Sequence, residues 1–202
     1  TIRAAQIFKF FAGEALRNLG DAVASVRPGV DVMMEREAVG IIGLITPWNF
    51  PIAIPAWKIA PALAFGNAVV MKPAELTPAC AWELAKILNE AGCPKGVFNL
   101  VLGPGSVVGA RIAEHPDIDA VSFTGSVPTG RQIGVTCASL GKKVQMEMGG
   151  KNPMVVMDDA ELDVAIGACV NGAFFSTGQR CTASSRLIVT TGIYDKFVSA
   201  LT

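Results

Sequence analysis

The stretch "FFSTGQRCTASSR" at 174–186 sets Cys181 among small, polar and glycyl residues. A structural thiol is usually a small core hydrophobe with apolar neighbours. Cys181 instead has Ser176, Thr177, Gly178, Gln179 and Arg180 before it and Thr182, Ala183, Ser184 and Ser185 after it. That setting suits a reactive thiol, with Arg180 placed to favour the thiolate. A nucleophile also needs a base, a group to hold an oxyanion, and a way to turn over. "QMEMGGKNP" (145–153) puts Glu147 at a strand end between Met146 and Met148, before a Gly-Gly that would let other groups come close. Desolvation there would raise its pKa toward that of a general base. The competing reading is an outward-facing side chain on an edge strand, and on the residues alone it is the stronger. "TPWNFP" (46–51) holds Asn49 in a rigid loop, where its amide can donate to a developing oxyanion.

Other chemistries have less to stand on. Of the five cysteines, Cys80, Cys137 and Cys169 fall in apolar helical segments and read as core residues, while Cys93 lies in the turn "AGCPKG". None forms a CxxC pair. The single histidine, His115, sits at a helix end in "AEHPD", so a Ser-His-Asp triad or a zinc site would rest entirely on it. No metal is expected.

Three glycine- or lysine-bearing turns suggest phosphate or ribose. "GPGSVVG" (103–109) follows a strand and opens a helix, but its spacing is GxGxxxG rather than GxGxxG. A dinucleotide turn and a plain βα turn are about equally supported there. "FTGSVPTG" (123–130) repeats the arrangement, with Gly125 followed by Ser126 as a helix N-cap. "MKPAE" (71–75) ends a strand with Lys72 and Glu75. A lysine there can hold ribose or phosphate, and a carboxylate accepts from a ribose 2′-OH while repelling a 2′-phosphate. The plainer account of Glu75 is a charge favoured by a helix N-terminus.

The elements that must position these residues alternate. Apolar β-rich runs lie at 41–46, 68–72, 97–102, 120–124, 143–147, 153–157 and 185–190, with helical patterns at 53–65, 78–91, 105–115, 127–140, 160–175 and 193–201 between most of them. Such alternation predicts an α/β fold with parallel strands covered on both faces and ligands at the strands' carboxyl ends. Residues 21–39, with Pro28-Gly29, predict a hairpin outside the main sheet. An amphipathic helix is expected at the N-terminus with Ile2, Ala5, Phe8 and Leu16 along one face.

The chain has 202 residues, 51% hydrophobic and 17% charged, enough for a large core. Seventeen basic and 17 acidic residues cancel, which argues against nucleic acid or an anionic membrane as partner. No apolar run approaches a membrane span and no secretion signal is evident, so a reducing cytoplasm is expected. The first residue is Thr rather than Met, from which a chain begun partway through a longer product is expected.

Taken together, "TPWNFP", "MKPAELTP", "FTGS", "EMGGKNP" and "GQRCTASSR" resemble the aldehyde dehydrogenase superfamily, in that family's order and over essentially the whole chain. The resemblance implies a Rossmann-like doubly wound parallel sheet for NAD(P) over 1–148, with part of an oligomerisation hairpin near 24–39. Residues 149–202 would begin a second α/β, catalytic domain. It implies Cys181 as nucleophile, Glu147 as general base, and Asn49 with the Cys181 backbone N–H as oxyanion hole. Lys72 and Glu75 would hold the adenine ribose, Gly105, Gly125 and Ser126 the pyrophosphate, and Thr46, Pro47 and Trp48 would line the crevice. Gly149 would lie beside the nicotinamide. The expected cofactor is NAD with NADP tolerated, the substrate a small aldehyde, and the full-length assembly a homo-oligomer. Within the family the motifs look most like the branch that oxidises α-ketoglutarate semialdehyde (2,5-dioxopentanoate), and Arg180 beside the nucleophile would suit an anionic substrate or pair with a local carboxylate.

The family's enzymes are much longer, and Met148 stands where Leu is more familiar, a swap close in volume. Two rival readings stay open: an incomplete nucleotide-binding fragment, and a CoA-acylating relative, against which Glu147 argues.

Overall fold

The computed structural model describes residues 2–17 and 20–202. The chain divides into two compact units, residues 1–147 and 148–202. In the first, α1 (Ile2–Leu16) lies on α2 (Ala53–Ala64). Ala4 and Ile7 of α1 pack with Ala56 and Ala60, and Phe8 and Phe11 join them. The expected face is therefore off by a turn's fraction: Ile2 and Leu16 are exposed. A helix with apolar residues at most angles does not declare its buried stripe, and docking on α2 selects it. The N-terminal pattern also covers Thr1, Asn18 and Leu19, which lie outside the described residues.

Strands β1 (Asp21–Ala24) and β2 (Asp31–Met34) form the antiparallel hairpin expected around Pro28-Gly29, a two-stranded sheet of its own. The main sheet contains β3 (Ile41–Ile45), β4 (Ala68–Lys72), β5 (Phe98–Leu100), β6 (Ala120–Gly125) and β7 (Lys143–Met148), in the order β5-β4-β3-β6-β7. Strand β3 is parallel to both β4 and β6, and β4 is parallel to β5. The inner strands β3, β4 and β6 are apolar because both faces are covered, whereas β7 alternates, with Lys143, Gln145 and Glu147 exposed. Leu44, Val69 and Met71 meet Ile59 of α2 and Leu84 of α3 (Pro78–Glu90) in the core. The chain runs outward from β3 through β4 to β5, then returns to the other side of β3 as β6. Doubly wound sheets of this order open a crevice at that reversal, beyond the strands' carboxyl ends.

Two further helices complete this unit, α4 (Ala110–Glu114) and α5 (Val127–Ser139). The helix expected over 105–115 begins as a π-helical turn, Gly105–Gly109, before α4. Its two glycines tolerate the wider turn, and π-turns of this kind recur at functional sites.

The second unit is one βαβ crossover followed by a helix. Strand β8 (Asn152–Val156) is parallel to β9 (Ser184–Val189), with α6 (Leu162–Cys169) between them and α7 (Tyr194–Leu201) after. Val156, Ala165, Cys169, Ile193 and Phe197 form its core. The helical pattern over 160–175 divides: α6 gives way to a π-helical turn, Val170–Phe174, and a tight turn, Phe175–Gly178. Among the described residues no helix is long and apolar enough to cross a membrane.

Candidate active site

At the carboxyl end of β4, Lys72 is only 4% exposed. Its Nζ donates to Pro73 O at 2.9 Å and stands 3.8 Å from Glu75 Oε1. Burial pushes its pKa below the ordinary lysine value, partly opposed by Glu75. Glu75 Oε1 also accepts from the Gly105 N–H at 2.6 Å. Lys72 and Glu75, three residues apart, thus meet Gly105, 30 positions beyond Glu75, at one point. A Cβ on Gly105 would meet Glu75 and Lys72 at 3.7 Å, ordinary contact, so this glycine does not relieve a clash but keeps a side chain's volume clear beside them. Beside the cluster lies a cleft of about 430 Å³ lined by Ile45, Glu75, Gly105, Gly109, Thr129 and Gln132. It lies between α4, with the turn before it, and α5.

Thr46 is buried at the end of β3, and its N–H donates to Lys72 O at 3.2 Å. Its hydroxyl is buried with no hydrogen-bond partner among the described residues. Pro47 and Asn49 are half-buried and Trp48 exposed in the loop from β3 into α2. Gly125 closes β6, and Ser126 takes the N-cap position of α5. The Ser126 hydroxyl donates to Thr129 Oγ1 at 2.9 Å rather than capping a backbone N–H, so the first amides of α5 are not closed by their own cap.

Glu147 has the outward-facing, edge-strand placement that its residues alone favour, and not the desolvated one. It is exposed, on β7, the edge strand of the sheet. Desolvation falls instead on Lys58 of α2, 8% exposed. Lys58 Nζ donates to Ser122 Oγ at 2.7 Å and to Gln145 Oε1 at 3.2 Å, and the Ser122 hydroxyl donates to the same Gln145 oxygen at 2.5 Å. With its oxygen so occupied, Gln145 turns Nε2 to Glu147 Oε1, 3.1 Å away. Burial lowers the Lys58 pKa from 10.5 to about 8, and the Glu147 charge holds it from falling further.

The expected close approach at Gly149-Gly150 is not made within the described chain. A Cβ on Gly149 would meet nothing within 4 Å, and one on Gly150 would meet Asn152 Oδ1 at 3.5 Å. Both glycines are exposed and follow the last strand of the sheet, where nothing crowds the backbone.

In the second unit Cys181 is the exposed cysteine of the five; Cys137 and Cys169 are buried, Cys80 and Cys93 half-buried. Burial raises the Cys137 and Cys169 pKa values, as expected of inert core thiols. Before Cys181 the backbone takes three consecutive left-handed residues: Ser176 (φ 54°), Thr177 (φ 53°) and Gly178 (φ 68°). A Cβ on Gly178 would also sit 3.1 Å from Ala173 O.

A sequence model of the aldehyde dehydrogenase family matches residues 1–202. The chain belongs to the aldehyde dehydrogenase family. It is 50% identical over 201 residues to an alpha-ketoglutaric semialdehyde dehydrogenase of Bacillus subtilis (strain 168), covering 100% of this chain and 41% of that protein. Among solved structures, a lactaldehyde dehydrogenase superposes with a TM-score of 0.95 at 45% identity, over 98% of this chain and 42% of that one. Betaine aldehyde dehydrogenase from Staphylococcus aureus, solved with NAD+, superposes at 0.93 with 42% identity, over 96% and 39%. The chain thus spans about two fifths of the length of the relatives it matches.

Two residues of this aldehyde dehydrogenase chain escaped the sequence reading. Lys58 is a lone charge in the apolar helix "AIPAWKIAPALA", a signal that was legible. Asn152 is inconspicuous inside "GGKNP", and its Nδ2 donates to Cys181 O at 2.7 Å and to Ala183 O at 3.2 Å. No local pattern announces that contact.

Proposed function

We propose that the chain carries the cofactor cleft and the nucleophile of an enzyme that oxidises an aldehyde to its carboxylic acid with NAD+, NADP+ being tolerated. The observation that carries the reading is Cys181: an exposed thiol after a left-handed turn, in a chain of this family. Residues 1–148 form the cofactor domain and 149–202 the start of the catalytic one. The residues suit a dinucleotide, since a buried Thr46 hydroxyl lacks a partner among the described residues and Gly105 leaves room beside Lys72 and Glu75. Lys72 and Glu75 would hold a ribose, and Gly105, Gly125 and Ser126 the phosphates. Thr46, Pro47, Trp48 and Gly149 would line the path to the nicotinamide. When bound, NAD+ supplies the acceptor for a hydride.

The Cys181 thiolate adds to the aldehyde carbon, forming a C–S bond and an oxyanion that the Asn49 amide and the Cys181 N–H hold. Loss of the aldehyde hydrogen as hydride leaves a thioester. Glu147 takes a proton from water, whose oxygen attacks the thioester carbon. The C–S bond breaks, the acid leaves, and the thiolate returns. Lys58, joined to Glu147 through Gln145, fixes the position of the Glu147 carboxylate.

The relative at 50% identity supports a semialdehyde substrate. The hairpin's exposed Val23, Val26, Met33 and Met34 support association with further copies. Competitive labelling with a limiting neutral electrophile tests the central claim: Cys181 should be modified before the other four cysteines. Earlier labelling of Cys80 or Cys93 would remove it.

A further inference from the structure

The guanidinium of Arg180 is already engaged. Its Nη2 donates to Asn171 O and, at 3.3 Å, to Gly172 O. Its Cζ lies 5.2 Å from the centroid of the Phe175 ring, and its Nε is shielded from solvent. Those carbonyls belong to the π-helical turn that ends the α6 segment, where backbone acceptors lose their intrahelical partners. Arg180 therefore reaches back over the left-handed turn and ties the residue before the nucleophile to the helix that precedes it. On the far side, the Asn152 amide spans the carbonyls of Cys181 and Ala183 from the start of β8. Between these ties the turn closes on itself: Gln179 N–H donates to Ser176 O, Arg180 N–H to Gly178 O and Ala183 N–H to Arg180 O, at 3.0, 2.8 and 3.1 Å.

We infer that Arg180 and Asn152 are positioning residues that hold the Cys181 turn from its two sides, and that Arg180 does not serve as the receptor for a substrate anion. The inference rests on Cys181 being the nucleophile. A single Nη2 reaching two carbonyls from a planar guanidinium that lies over a ring is an arrangement arginine makes and the point charge of lysine does not. Charge alone therefore cannot replace Arg180. Any anionic group on the substrate must be recognised elsewhere.

The test uses the 202-residue chain and two probes of similar size, neutral iodoacetamide and anionic iodoacetate. Alkylation of Cys181 is followed by peptide mass in about 1 M salt, where charge is screened within about 3 Å. The variants are Arg180→Gln, Arg180→Lys and Asn152→Asp, the last presenting an acceptor to two carbonyls. Continued protection of the buried Cys169 reports that the unit has stayed folded. One hydrogen bond of ordinary net strength corresponds to a factor of about 2–10. Each variant should slow both probes at Cys181 about three- to tenfold, keep their ratio within about twofold, and speed amide exchange at Gln179, Arg180 and Ala183 by a like factor. Rescue by Arg180→Lys would overturn the inference, as would selective loss of iodoacetate reactivity or unchanged rates and exchange. If Cys181 in the unmutated chain is not the fastest thiol, the proposed function fails; the exchange at the three amides then still decides whether the clamp exists.

Discussion

Gln145 Nε2 donates to Glu147 Oε1 across 3.1 Å, while the other end of the same amide accepts from Lys58. One side chain thereby joins a buried cation to an exposed carboxylate on a sheet edge. The arrangement is the reverse of what a desolvated base at Glu147 would need. The carboxylate stays in solvent, and the lysine bears the desolvation.

Lys58 makes stability depend on pH. In the folded chain it gives up its proton near pH 8, whereas in the unfolded chain it keeps it to about 10.5. Between those values the unfolded state binds the extra proton, so the Lys58 contribution to stability rises with pH. Below about 8 both states are protonated and the burial cost is fully present. The difference in urea midpoint between Lys58→Met and the unmutated chain should therefore shift against the variant as pH climbs through this window. A difference that does not vary with pH would mean that Lys58 is not desolvated.

Glu147→Gln separates the two halves of the reaction. In an active protein containing this chain, the variant should still give a burst of reduced cofactor, because thioester formation does not need the base. Steady turnover should fall by about 10²–10⁴-fold. An unchanged steady rate in stopped-flow and steady-state assays would take the role away from Glu147.

Glu75 should set the choice of cofactor. Its carboxylate is held by the Gly105 N–H and beside Lys72, and in the proposed ribose-holding role it would meet a 2′-phosphate with like charge. Such repulsion near a surface is worth about a few kcal/mol at most. Calorimetric titration should show NAD+ binding more tightly than NADP+, with the gap narrowing in high salt and in Glu75→Gln. Tighter binding of NADP+ to the unmutated chain would return Glu75 to the plainer role of a charge near a helix N-terminus.

Gly178→Ala should loosen the nucleophile turn. The new Cβ would carry a φ of 68° and sit 3.1 Å from Ala173 O. A non-glycine residue held there costs about 1–3 kcal/mol. The denaturation midpoint should fall accordingly, and protease cleavage between Phe174 and Ala183 should quicken while β8 and β9 remain protected. A neutral substitution would show that the turn relaxes freely.

Much of this protein is legible along its own chain. Strand–helix alternation from Ile41 onward, the Pro28-Gly29 hairpin and the glycine turns at Gly105 and Gly125 are set by periodicity and turn chemistry, which depend on near neighbours. The unusual setting of Cys181 is local in the same sense, and the exposed thiol of the structure follows from its polar surroundings. Other properties belong to residues that meet only after folding. The stripe of α1 that is buried was decided by Ala56 and Ala60 of α2. Whether Glu147 or Lys58 would be desolvated depended on an α2 residue lying beside Gln145, 87 positions away in the chain. Arg180 reads from sequence as a free cation near a nucleophile; the folded chain directs it to the carbonyls of Asn171 and Gly172. Burial and pairing energies arise between distant segments, so local pattern supplies the chemical groups, and the tertiary fold decides which of them remain available to react.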